Sequence, residues 1–150
     1  GADLTMVNLS NADLRGANLL RVFADKTILR HADMRGAVLN RGNFRRASME
    51  GAKLVGANLS GADLTMINLS NADLRGADLR GANLSYARLL GADVRKAKLG
   101  KAVLYGTNIK AADFTGADLT DALIASVVST GTNFCRATMP DGERGKCPSK

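Results

Sequence analysis

Aromatic residues make up only 4% of this 150-residue chain, and tryptophan is absent. Without interleaved rings there is no platform for stacked bases, so any nucleic-acid contact would have to run through phosphates alone. Histidine occurs once, at His31, and the two cysteines, Cys135 and Cys147, both fall in the last sixteen residues. A zinc site needs clustered histidine or cysteine, and acid–base catalysis needs a positioned base beside a reacting group; the sequence presents neither constellation. No GxxxxGK segment offers a phosphate cradle. Long apolar runs are also missing, which excludes a membrane-spanning helix, and no charged-then-apolar leader opens the chain. These gaps predict no enzymatic activity, no cofactor, no bound metal and no insertion into a membrane.

What the sequence has is repetition. Every fifth residue from Leu4 to Met139 gives 28 positions, and 26 of them hold Leu, Met, Phe, Val or Ile without a slip of frame; Ala24 and Ser129 depart. Two residues before these positions, 20 of 28 are alanine, and Asp or Asn dominates between, as at Asp13, Asp73, Asn83 and Asp93. A helix would smear a period of five around its surface, and a long strand would flip it to the opposite face at each unit. The chain must therefore turn a corner once per unit. Alanine and the large residue, two positions apart, point inward together from a short extended side, with Asp or Asn outward between them. Glycine recurs two residues after the large one, as at Gly16, Gly36, Gly76 and Gly116, where a type II turn needs positive φ.

Residues 2–19 recur almost unchanged at 62–79. An offset of sixty fits three turns of four units or four turns of three. Intervals of twenty align Asp13, Asp33, Lys53, Asp73, Asp93 and Asp113 in one outward column and Arg15, Arg35, Val55, Arg75 and Arg95 beside it; intervals of fifteen scatter them, so four sides are expected. Pairing between these columns relieves stacked like charge. Coordination of a hard cation by Asp73, Asp93 and Asp113 is the alternative use of those carboxylates, and it would require the arginines to be displaced.

Units such as ADLRG at 72–76 and ANLSG at 57–61 resemble the pentapeptide-repeat family, in one frame over residues 1 to about 140, and the ending ATMPDG at 137–142 is similar to cyanobacterial members. The resemblance implies an all-β, right-handed quadrilateral β-helix of about seven coils. At strand spacing such a rod is roughly 34 Å long. The expected organisation is a β-helix over 1–140 and a non-repeat tail or cap over 141–150.

Three places on this rod carry candidate function. Around Val22, Phe23, Ala24, Thr27 and Ile28, apolar residues point outward while small Ala24 points inward, so a cavity or bulge is expected at that unit; the irregularity reads either as repeat drift repaired by neighbouring units or as a partner contact through Phe23, and Ser129 is expected inward as a satisfied polar group rather than a catalytic one. Arg21 and Arg41 share one corner column and Lys26 and Arg46 the next, with Arg45 between, forming a candidate polyanion patch that Asp25 blunts. Tyr86, Val103, Tyr105, Leu123 and Val128 form an outward apolar patch, suited to the tail or to a partner protein, including a second copy. Cys135 and Cys147 are a candidate disulfide pinning the tail, with two free thiols as the alternative. Closing that loop contributes roughly 3 kcal/mol in the chain-entropy model. A disulfide points to an oxidising compartment such as the periplasm or thylakoid lumen, and free thiols to the cytoplasm.

Net charge is +7, which fits either a well-solvated surface or attraction to acidic partners. Some members of the family that the units resemble protect DNA gyrase by imitating duplex DNA with an acidic rod; a rod of opposite sign would repel the same basic saddle. The reading that remains is a non-catalytic structural or protein-interaction scaffold, monomeric or homodimeric and of unknown partner, with salt-sensitive binding of nucleic acid or another polyanion as the alternative.

Overall fold

Most units close their corner with one backbone hydrogen bond. In the computed structural model, which describes residues 1–147, the amide of Val7 donates to the Leu4 carbonyl at 3.0 Å, Ala12 to Leu9 at 3.1 Å and Ala137 to Phe134 at 2.9 Å. The residue before each closing amide has positive φ: 62° at Gly16, but also 59° at Met6 and 58° at Tyr86. Sixteen non-glycine residues lie in this region, where an L side chain costs about 1–3 kcal/mol. Two sets of bonds hold them there. The Asp or Asn that opens the unit accepts from the amide two residues on, as from Arg15 to Asp13 at 3.2 Å and from Ser60 to Asn58 at 3.0 Å. Neighbouring turns of chain bond the corner amide as well, as Met6 to the Asp25 carbonyl at 3.0 Å. The Asp/Asn preference is thus a turn requirement as well as a surface one.

The sides pair in parallel at a fixed offset of twenty residues. Bridges run from Asp3 with Phe23 to Asp118 with Thr138 at that spacing. Where pairing extends beyond a single bridge it forms β1 (Val103–Tyr105) and β2 (Leu123–Ala125), joined as Val103 with Leu123 and Tyr105 with Ala125. Sides are short because a corner arrives every five residues, so no longer strand can form.

The core follows the alternation of small and large. Leu54, Leu59, Leu64, Leu69 and Leu74 are fully buried, as are the alanines two residues before most of them. Burying each such leucine stabilises by about 1.5–3 kcal/mol. Threonine at the small position satisfies itself by reaching to the preceding turn of chain: the Thr27 hydroxyl donates to the Leu4 carbonyl at 2.7 Å and Thr107 to Leu84 at 2.9 Å. Corners fit one another too. The His31 ring lies so close over Gly51 that a Cβ there would collide with it, and Tyr86 leaves only 2.7 Å for a Cβ on Gly106.

Two expectations are corrected. The ladder runs through Ala24 without a bulge, its amide donating to Asn43 at 2.8 Å. The missing bulk is met from neighbouring positions, because Val22 replaces the usual alanine beside Ala24, and Phe44, one bridge step on, is fully buried. Gly42 makes the room for that ring: a Cβ at Gly42 would stand 2.5 Å from Phe44 Cε2. Ser129 is exposed rather than inward-buried, because no further turn of chain covers its column and Ile109 is the last buried residue beneath it. At the opposite end Leu4, Leu9, Leu14 and Leu19 are only half-buried.

Candidate interaction surface

Part of the surface charge is engaged in local ion pairs. Arg15, Arg35, Arg75, Arg80 and Arg95 each fork onto the aspartate two residues before them, as Arg35 Nε to Asp33 Oδ1 at 2.8 Å and Nη2 to Oδ2 at 2.6 Å. The Arg15 hydrogen bonds hold the Asp13 carboxyl down at about 2. Arg35, Arg75, Arg80 and Arg95 likewise hold Asp33, Asp73, Asp78 and Asp93 below the usual carboxylate range. Contacts also cross between turns, Arg75 Nε lying 3.6 Å from Asp93 and Arg95 Nε 4.0 Å from Asp113. The carboxylates considered for a cation are therefore occupied by guanidinium groups and, at Asp113, by the amide of Thr115 at 2.9 Å.

One face differs. The bridged column Asp3, Phe23, Asn43, Asp63, Asn83, Val103 and Leu123 runs its whole length. The basic residues Arg21, Lys26, Arg41, Arg45 and Arg46 flank this column near its start, and Tyr86, Tyr105, Val103 and Leu123 lie near its end. The two candidate patches thus share a face, which sequence spacing places but which was not read from it. Arg46 forks onto Asp25 at 3.1–3.2 Å, and Arg45 Nη1 reaches Asp63 at 3.2 Å. Among the described residues no carboxylate lies within 4.0 Å of Arg21, Lys26 or Arg41, and all three are exposed. At the other end, Tyr86 and Tyr105 meet edge to face with centroids 5.6 Å apart. Tyr86 is 52% and Leu123 54% exposed, while Val103 is half-buried. Val128 is exposed on the adjoining column of Ile28, Ser48, Asn68, Arg88 and Asn108.

The described part of the tail goes elsewhere. Thr138 bridges Arg144 in antiparallel fashion; the Arg136 amide donates to Gly145 at 3.1 Å, Gly145 to Ala137 at 2.8 Å and Met139 to Glu143 at 2.8 Å. Cys135 and Cys147 are joined as a disulfide. The described part of the tail therefore does not dock on the Tyr86–Leu123 patch as expected: bridge and disulfide fold it back on residues 134–139, and among the described residues it leaves Tyr86, Tyr105 and Leu123 exposed. Residues 148–150 of the expected tail lie outside the described residues. Among those described, no helix is long and apolar enough to cross a membrane.

A family model for pentapeptide repeats, in eight copies, matches residues 1–30, 27–65, 67–100 and 87–124. The chain belongs to the pentapeptide repeat family. As such it is a right-handed β-helix, and the solved structures that match it at a TM-score of 0.56 agree with that fold. A pentapeptide repeat protein, Rfr23, of the cyanobacterium Cyanothece 51142 is 35% identical over 57% of this chain, with a TM-score of 0.56, and the matched part spans 58% of that protein's length. One from the Arabidopsis thaliana thylakoid lumen is 37% identical, covering 78% of this chain and 68% of its own, with a TM-score of 0.41. QnrB1, a plasmid-mediated fluoroquinolone resistance protein, shares the fold at 18% identity and a TM-score of 0.56, over 92% of this chain and 73% of its own. No curated protein sequence matches this pentapeptide repeat protein.

Proposed function

We propose that this pentapeptide repeat protein is a non-catalytic rod that acts as a protein-interaction scaffold, presenting one chemically distinctive face to a partner. The observation that carries the reading is the contrast between a filled interior and that face. From Leu29 to Leu119 the large inward positions are fully buried, which leaves chemistry only to the outside, and Arg15, Arg35, Arg75, Arg80 and Arg95 are committed to aspartates two residues away. The bridging offset of twenty supports a four-sided cross-section, and 28 units then give seven coils, closed by a cap from residue 141.

The second reading is salt-sensitive binding of a polyanion at Arg21, Lys26, Arg41, Arg45 and Arg46; three of these have no carboxylate within ion-pairing distance, which favours it. DNA mimicry toward gyrase is disfavoured by the net charge of +7. The disulfide supports an oxidising home, the periplasm or thylakoid lumen.

Heparin chromatography separates the two readings. The scaffold reading expects little retention, unaltered when Arg41, Arg45 and Arg46 become Asn, Thr and Asn; strong retention abolished by that change establishes the polyanion reading instead. Nuclease-treated lysate of the source organism, passed over the immobilised rod, is expected to yield a bound protein. Capture that disappears with nuclease treatment would overturn the scaffold.

A further inference from the structure

The bipolar face determines what kind of partner fits it. Resting on the scaffold reading, we infer that the face along the column from Phe23 to Leu123 docks an extended polypeptide segment of a partner protein, acidic at one end and apolar at the other, aligned with the rod.

From Phe23 to Leu123 there are five bridge steps, or roughly 24 Å at strand spacing. Over that distance the face changes character. At one end five cations stand against Asp3, Asp25 and Asp63, an excess of two positive charges; at the other, Tyr86, Tyr105 and Leu123 are each exposed, with Lys101 and Asp121 of opposite sign at their border. Met66, 51% exposed, lies between the two ends.

Charge complementarity requires carboxylates on the occupant over the basic end, and desolvation requires apolar side chains over the tyrosines. A nucleic acid is uniformly charged and would match half of the face. A bilayer surface presents its charge and its apolar region at different depths, not side by side along a line of this length. A second copy of the rod fails by symmetry: an antiparallel two-fold places the basic end on the apolar end, and a parallel one places cation on cation. A polypeptide can pass from acidic to apolar within the span, and about seven extended residues cover it.

The test pans a phage library of random twelve-residue peptides against the intact oxidised chain, then measures the synthetic consensus peptide by fluorescence anisotropy. Two variants use residues that equivalent positions already hold, Asn at the corners Asn11 and Asn71 and Ser at Ser85 in the column of Tyr105: Arg21→Asn with Lys26→Asn and Arg41→Asn, and Tyr86→Asn with Tyr105→Ser. Circular-dichroism melting checks that both fold. Enriched peptides should carry a block of Asp or Glu at one end and aromatic or aliphatic residues at the other. Each variant should weaken the consensus peptide by about tenfold or more, as losing one or two hot-spot contacts does. Only the basic-end variant should flatten the salt dependence; the tyrosine variant should lose affinity and keep it. Enrichment of purely acidic peptides, a variant pair that leaves binding unchanged, or no enrichment at all overturns the inference. If peptides bind but ignore both variants, or lysate capture persists in both, the scaffold stands and this face is not its interface. Light scattering that shows a dimer dissociated by the tyrosine variant would also overturn it.

Discussion

Replacing Gly42 with alanine should destabilise the rod, yet the same change should stabilise it once Phe44 is leucine. Equivalent units such as Ala62–Leu64 carry alanine at this position, so the backbone accepts a Cβ. The Leu39 carbonyl, 3.0 Å from the added atom, closes a turn that alanine units also make, as Ala62 to Leu59 at 3.1 Å. What is particular to Gly42 is the Phe44 ring, 2.5 Å from where the Cβ would lie. Phe44 is fully buried, so the ring cannot swing into solvent, and overpacking of this kind costs about 1–3 kcal/mol. Against it stands a gain of about 0.4–1 kcal/mol from the lost freedom of the unfolded glycine. In wild type the clash outweighs the gain across most of these ranges, for a net loss of roughly 0–2.6 kcal/mol. In the Phe44→Leu background the clash is gone and the entropic gain remains. The double-mutant cycle therefore predicts a coupling of about 1–3 kcal/mol, read from urea midpoints by circular dichroism with the disulfide intact. Equal effects of Gly42→Ala in both backgrounds would refute the claim that ring and glycine share one space.

Leu74→Ala, at a fully buried position flanked by complete units, should cost about 2–5 kcal/mol, measured as a lowered denaturation midpoint. Because solenoid stability is carried by neighbouring turns, the loss should also appear as faster amide exchange at Leu54 and Val94. Carboxylates held by arginine have folded pKa values below their unfolded ones, so their stabilisation is complete above the unfolded value near 3.8 and disappears as pH falls through the folded one. The melting temperature should thus be flat from neutral pH to about 5 and fall below about 4; a carbonyl-detected titration should place Asp13 near 2, and a midpoint near 3.8 would contradict the bidentate pairing. Reducing the disulfide should expose two thiols where the unfolded, unreduced chain shows none. Reduction should also speed exchange at the Arg136 and Met139 amides, whose partners Gly145 and Glu143 lie in the tail, while leaving mid-rod amides unchanged.

The repeat was legible because its signal is local: alanine, Asp or Asn, leucine and a corner residue recur every five positions, and steric argument alone forces the turn. The disulfide pair was also open to reading, since only two cysteines exist. Repair of Ala24 by neighbouring units was legible as a reading, but its place was not, because the compensation lies at Phe44 and Gly42, about twenty residues away, and volume is shared across turns of chain rather than within a unit. Ser129 was misread because an inward position is buried only if another turn covers it. The path of the tail depends on backbone bonds such as Gly145 to Ala137, which side-chain pattern does not encode. Aspartate was read as surface charge, whereas its bonds to the amide two residues on make it a turn component. That signal was present in the sequence, since asparagine substitutes for it freely.

A fixed pairing offset of twenty makes the rod a ruler for insertions and deletions. Excising twenty residues would shorten it by one step and leave every column with its own kind. Excising five would leave every leucine inward, so the shortened chain would still fold, but all residues beyond the cut would shift by one wall. The cations and the tyrosines would then look out from different walls. Length changes that are silent for folding are therefore not equivalent for recognition, and only multiples of twenty preserve both.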